Sequence, residues 1–340
     1  MKLKLILLLF FITSQTFSQI SVGPKHIGKP GKFKKGVLER FKNTETIFLL
    51  SKIYDKAEYE KILKDSWDVT PYKIVDLETF DIENYLSDKY SIAQLAGFKR
   101  IKQMKNGGTS TSLHTYIDFK IYDSDKIFEK LNKLSPKKRT KKKSDIIDDY
   151  SLNIARFYIY PKDEFIQTAV YQDMNKIFYS FYMDDVFFNY KSGLLKNYFQ
   201  KINNLIESEE VYWMYGNDYL PELKKLKKNK LYIPSYMTVT YSGWTGKDSE
   251  EGEENIQDIL KKYEYQYEVI PDEDLSTKIM NNEEFYYLRY VRMNAERFIQ
   301  VVNSKTGEIV YRNYIAGFSY KIKSKHIKDL NSKIIKASKK

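Results

Sequence analysis

The 340-residue chain contains no cysteine. That excludes disulfides, thiol nucleophiles, thiolate metal sites and a lipid anchor carried on a cysteine. Histidine is nearly as scarce. His26, His114 and His326 are the only three, and no two stand four residues apart as helical zinc ligands do. There is no Gly-x-Ser-x-Gly elbow, no Walker loop and no Gly-x-Gly-x-x-Gly, so the usual hydrolase and nucleotide signatures are missing. Where a nucleotide-binding fold would place glycines, the chain reads Ser51-Lys52-Ile53-Tyr54-Asp55. No motif assigns a catalytic residue, a metal or a cofactor. His114, within Thr111 to Thr115, reads as a strand residue facing solvent or a sheet edge.

Long apolar runs are also missing. Leu5 to Ile12 is apolar for eight residues, against about 20 needed to cross a bilayer. Lys2 and Lys4 precede it, and a polar stretch ending in the small residues Thr16 and Ser18 follows. This is the pattern of a secretory signal peptide over residues 1–18, cleaved near Ser18 to leave Gln19 as the mature start. The expectation is an exported, water-soluble protein of the periplasm or the extracellular space.

The net charge is +12, and removal of Lys2 and Lys4 leaves +10. In an exported protein this surplus argues against nucleic acid. It leaves lipid head groups and acidic glycans as the anionic surfaces within reach, by peripheral contact.

What is present is a repeated plan. Residues 19–40, rich in Gly, Pro and Lys, read as a flexible basic leader. From there, Thr46 to Leu50 reads as a buried strand, Tyr54 to Trp67 as a helix and Tyr72 to Val75 as a second strand. Ser91 to Met104 and Thr111 to Tyr122 form a hairpin across Asn106-Gly107-Gly108. Leu152 to Tyr160 and Lys176 to Met183 read as extra strands, and Pro136 to Lys143 as a solvated Lys-rich insertion (136–145). The second series assigns a strand to Met237 to Tyr241, a helix to Glu254 to Tyr263, a strand to Tyr267 to Ile270 and a hairpin to Arg297 to Tyr314.

With a constant offset of 195, Tyr72 to Val75 falls on Tyr267 to Ile270, Glu78 on Glu273 and Ile92 on Tyr287. Tyr198 to Ile206 likewise resembles His326 to Ile334 in its apolar spacing. The fold class expected is α/β (or α+β). Two related halves, 41–215 and 225–335, each carry a mixed sheet, a C-terminal hairpin and a closing helix.

The candidate ligand site is Ser242-Gly243-Trp244-Thr245-Gly246, directly after the strand assigned to Met237 to Tyr241. Ligands of open α/β sheets bind beyond the carboxyl ends of strands. Trp244, flanked by Gly243 and Gly246, could stack on a sugar ring or an apolar partner, or fold back over the core. The acidic run Asp248 to Glu254 lacks the spacing of a calcium loop and suits the positive end of the following helix. Thirty tyrosines, many alternating along strands, fit a half-buried sheet and could pave a binding face. Taken together, these features point to a non-enzymatic envelope protein that binds a protein or glycan partner. A hydrolase using unpaired acids and a subunit of a secretion or surface-assembly complex are the alternatives.

Overall fold

The computed structural model describes residues 19–26, 31–105, 107–242, 247–249, 256–293, 296–317 and 322–339. The signal-peptide segment 1–18 lies outside them. The first half runs β1 (Ile20–Val22), α1 (Val37–Lys42), β2 (Glu45–Leu49), α2 (Lys56–Lys64), β3 (Tyr72–Ile74), a 3-10 turn Ile82–Tyr85, β4 (Tyr90–Gln103) and β5 (Thr109–Tyr122). It continues through α3 (Ser124–Asn132), α4 (Pro136–Asp149), β6 (Ser151–Tyr158), α5 (Asp163–Ala169), α6 (Met174–Met183) and α7 (Ser192–Glu207). The second half runs β7 (Asn217–Tyr219), a 3-10 turn Pro221–Lys227, β8 (Leu231–Pro234), a 3-10 turn Ser235–Thr238, and the antiparallel pair β9 (Thr240–Ser242) and β10 (Lys247–Ser249). It closes with α8 (Ile256–Leu260), β11 (Tyr267–Ile270), α9 (Asp272–Met280), β12 (Tyr286–Met293), β13 (Glu296–Asn303), β14 (Ile309–Ala316) and α10 (Ser324–Ala337).

The two sheets have one topology. The first is ordered β3-β2-β4-β5-β6-β1 and the second β11-β8-β12-β13-β14-β7. In each, the first long-range strand is parallel to both its neighbours, and an antiparallel meander follows. The registers coincide residue by residue. Thr46 lies opposite Tyr72 and Ser91, and Leu231 lies opposite Tyr267 and Tyr286, so the offset of 195 holds across both strands. Even the irregularity recurs: the β5–β6 pairing shifts between Phe119 and Lys120, and the β13–β14 pairing between Val301 and Val302. These are equivalent positions, with Ile154 and Val310 as the extra bulge residues. The α/β fold with two similar halves stands.

The two halves pack on either side of α7. This helix is apolar on most sides, with Leu194, Leu195, Tyr198, Phe199, Ile202, Leu205 and Ile206 all buried. Phe199 packs edge-on against Phe48 and Phe157 of the first sheet. The Tyr198 ring lies between Phe157 of the first sheet, 4.5 Å away and stacked, and the Arg289 guanidinium of the second, 4.2 Å away. Gly193 lets α7 and α9 touch: a Cβ there would meet the Ser276 carbonyl oxygen at 2.5 Å. The turn between β13 and β14 docks on the same helix. Asn197 Nδ2 donates to the Ser304 carbonyl at 2.8 Å, and Lys201 pairs with Glu308. Gly307, at φ +68, serves that turn in two ways, since a Cβ would be strained by φ and would meet the Asn197 oxygen at 2.6 Å. α3 and α4 cover the far face of the first sheet, and α10 covers the far face of the second.

Several expectations are corrected. The leader is not flexible throughout: Ile20 and Val22 are fully buried, and β1 is the edge strand of the first sheet, paired with β6. The first sheet therefore takes in residues 20–22, ahead of residue 41. Lys176 to Met183 is helical, because Asp173 caps it by accepting the N–H groups of Asn175 and Lys176 and because Ile177 and Phe181 share one buried face. The Lys-rich insertion is the helix α4, held by Ile147 in the core and by Lys143 and Arg139 on Glu83. The strand that starts the repeated plan in the second half is Leu231–Pro234; within Met237 to Tyr241 the chain is a 3-10 turn to Thr238 and then enters the short strand β9 at Thr240. The parallel register of Leu231–Pro234 with β11 and β12 sets that assignment. Among the described residues no helix is long and apolar enough to cross a membrane.

Candidate ligand cleft

β8 and β11 are adjacent and parallel, so their carboxyl ends open on the same side. Beyond them lies a cleft of about 410 Å³. Ser235, Tyr236, Thr238 and Val239 follow β8 directly, and Asp272 follows β11. The first half supplies the opposite wall: Lys162 and Glu164 at the start of α5, then Asp185, Phe187, Phe188 and Lys191 ahead of α7. The two halves thus meet across it, at the position where open parallel sheets bind ligands.

Its floor is aromatic. Phe187 and Tyr236 are buried, and Phe188 is partly exposed and stacked on Tyr236, 5.9 Å between centroids. The Tyr236 hydroxyl donates to the Tyr290 carbonyl at 2.8 Å and accepts the Tyr290 N–H at 3.1 Å. This anchors the floor to β12.

The polar groups are held by pairing. Lys162 pairs with Asp185 at 3.0 Å and Lys191 with Glu273 at 2.7 Å. Burial opposes the Lys191 ammonium, but Glu273 outweighs it and the pKa is raised. The Asp272 carboxylate accepts the Tyr236 N–H at 3.1 Å. Burial raises the Asp272 pKa above the ordinary carboxylate value, against the opposing pull of that hydrogen bond. Just outside the cleft, Arg292 forms an ion pair with Asp163 and lies 5.7 Å over the Tyr160 ring. Among the described residues no cluster of His, Asp and Glu has the geometry to hold a metal ion.

Gly243, Trp244 and Gly246 lie outside the described residues, as do Glu250 to Glu254. The turn that the ligand rule singles out is instead 235–239, directly after the true strand. His114 is buried rather than solvent-facing and stacks on Phe98 at 4.7 Å. His26 is buried too, its Nε2 3.7 Å from Asp118 Oδ1. The alternating tyrosines line the interior: Tyr158, Tyr287 and Tyr311 are fully buried, and Tyr160, Tyr286 and Tyr290 nearly so. They are core, not a paved binding face, because both faces of each sheet are covered.

No family model, curated protein or solved structure matches the chain. The cleft therefore has to be read from its own chemistry. Paired lysines and carboxylates around an aromatic floor offer donors, acceptors and one flat apolar face within a single opening.

Proposed function

We propose that this chain is an exported binding protein of the bacterial cell envelope, and that the cleft takes a glycan. The observation that carries the reading is the partly exposed Phe188 ring set among Lys162, Glu164, Asp185, Lys191 and Asp272. A sugar ring has an apolar C–H face that stacks on an aromatic side chain, and hydroxyls that both donate and accept. The cleft supplies partners for each of these. The leader pattern of residues 1–18 supports export. The test is calorimetric titration of the mature chain with soluble envelope oligosaccharides, alongside Phe188→Ala, for which binding weakens about tenfold or more, the order expected for loss of an aromatic anchor. Absence of binding to any such glycan, with retention of an envelope protein in a pull-down, would move the reading to a protein partner.

The hydrolytic alternative has one observation behind it, the raised pKa of Asp272 within a cleft that also holds Glu164 and Asp185. Release of new reducing ends from a glycan, abolished by Asp272→Asn, would establish it.

A further inference from the structure

β4 and β5 are fourteen residues long, whereas the equivalent strands β12 and β13 are eight. The offset of 195 places Met293, the end of β12, on Phe98. The residues from Lys99 to the facing Leu113 are thus an addition that the repeated fold does without. They also outrun their neighbours: β2 pairs only with Tyr90 to Gln94, and the β6 register reaches no further than Tyr116. The result is a two-stranded arm that reaches beyond its sheet neighbours, rooted at the buried Leu113.

Its composition is one-sided. Lys99, Arg100, Lys102 and Lys105 are basic, and no Asp or Glu occurs between Ala96 and Ile117. None of the four makes an ion pair with a described carboxylate. Lys99 donates to the Gln172 carbonyl, and the Arg100 charge is felt by Glu296. Strand alternation puts Lys99 and Ile101 on one face and Arg100 and Lys102 on the other. At the end of this basic ribbon Ile101 is 67% exposed and Met104 39%.

We propose that the arm docks on an anionic lipid bilayer, with its cations on head-group phosphates and Ile101 and Met104 at the acyl boundary. Cations alone would suit any polyanion. The two exposed apolar side chains among them favour a surface with a polar charged layer over an apolar one.

The test is sedimentation of the full mature chain with phosphatidylglycerol vesicles at low salt. We expect binding that salt reverses and that phosphatidylcholine vesicles do not support. Arg100→Gln, Lys102→Gln and Lys105→Gln combined weaken partitioning about 100-fold, at about fivefold per cation, with unchanged circular dichroism and thermal midpoint. Ile101→Ser with Met104→Ser, which leaves the charge intact, weakens it as well. Phe188→Ala does not, which separates the arm from the cleft. Undiminished vesicle binding by the triple variant would overturn the proposal. So would wild-type binding to duplex DNA without binding to vesicles, or a stable dimer on sizing that Ile101→Ser dissolves.

Discussion

Arg156 and Arg312 occupy the same position in the two sheets, and each grips an aspartate with two parallel hydrogen bonds. The aspartates come from different strands. Asp118 sits on β5, across from Arg156, while Asp218 sits on β7 on the other side of Arg312. Each pair belongs to a transverse polar row: Gln94, Asp118, Arg156 and Ser21 in the first sheet, Arg289, Gln300, Arg312 and Asp218 in the second. The row has kept its place while its charges have changed strands.

The two pairs differ in burial, which sets their worth. Asp118 is 1% exposed, and Lys120 adds a second cation at 3.1 Å. Asp118→Asn would leave the buried Arg156 without its counter-charge and Lys120 with only Asp148, 3.9 Å away, and we expect a loss of about 3–5 kcal/mol in urea unfolding. Asp218 is 25% exposed. Arg312 is only 3% exposed, so Asp218→Asn should still cost about 1–3 kcal/mol, less than Asp118→Asn because solvent reaches the carboxylate side.

Acid should unfold the protein earlier than its carboxylates alone would. Burial lowers the pKa of His26 to about 3, and of His114 and His326 to about 4. Each is neutral when folded and binds a proton more readily when unfolded. Their stabilising contribution is complete above the ordinary value of 6.5 and is lost as the pH falls toward 4 or 3. At pH 5 the loss is about 2 kcal/mol per histidine. Asp118, whose pKa Arg156 and Lys120 bring down to about 2 against the effect of burial, adds a second loss only between pH 4 and pH 2. Thermal midpoints measured from pH 8 to pH 4 should fall steeply below pH 6.5, and His326→Gln should flatten that slope.

Gly193→Ala tests the crossing of α7 and α9. Alanine is the better helix former, yet its Cβ would meet the Ser276 oxygen at 2.5 Å and the Ile279 Cβ at 2.8 Å. We expect a net loss of about 1–3 kcal/mol from overpacking. A gain in stability would mean that the helices separate freely.

Removing residues 19–26 tests the edge strand. Ile20 and Val22 are fully buried, and the Gln19 amide donates to the Tyr198 hydroxyl at 2.6 Å. Burial of the two apolar side chains alone is worth about 3–6 kcal/mol. A mature chain lacking residues 19–26 should therefore lose most of its cooperative thermal transition in calorimetry.

The repeat was legible because its strands carry strong β-favouring runs at a constant spacing. Tyr72 to Val75 and Tyr267 to Ile270 fall in the register that the offset of 195 requires. Other elements were hidden by competing signals. Met237 to Tyr241 has more β-branched character than Leu231–Pro234, yet the shorter run, closed by a proline, is the strand that pairs on both sides. Lys176 to Met183 looks like a strand by composition, and the cap at Asp173 makes it a helix. β1 is three residues long and had no periodicity to read. The cleft was invisible for a different reason. Phe188 and Tyr236 are 48 positions apart in sequence, and only the packing of one half on the other brings them together. The strands whose carboxyl ends face the cleft are Leu231–Pro234 and Tyr267–Ile270, whereas Trp244 lies outside the described residues.

The sharing of α7 has a consequence for how the chain acquires its structure. The second sheet's inner face, with Tyr287, Arg289 and Val302, is covered by a helix that belongs to the first half. As the polypeptide emerges from its N-terminus, residues 19–207 can complete a core before the rest appears, whereas the later half, closed on its far side by α10, would lack α7 over its inner face if it came first. Assembly is directional: the early half is the template and the late half the copy laid upon it. Folding should then show a fast phase for the first sheet and a slower docking phase that disappears when α7 is disrupted.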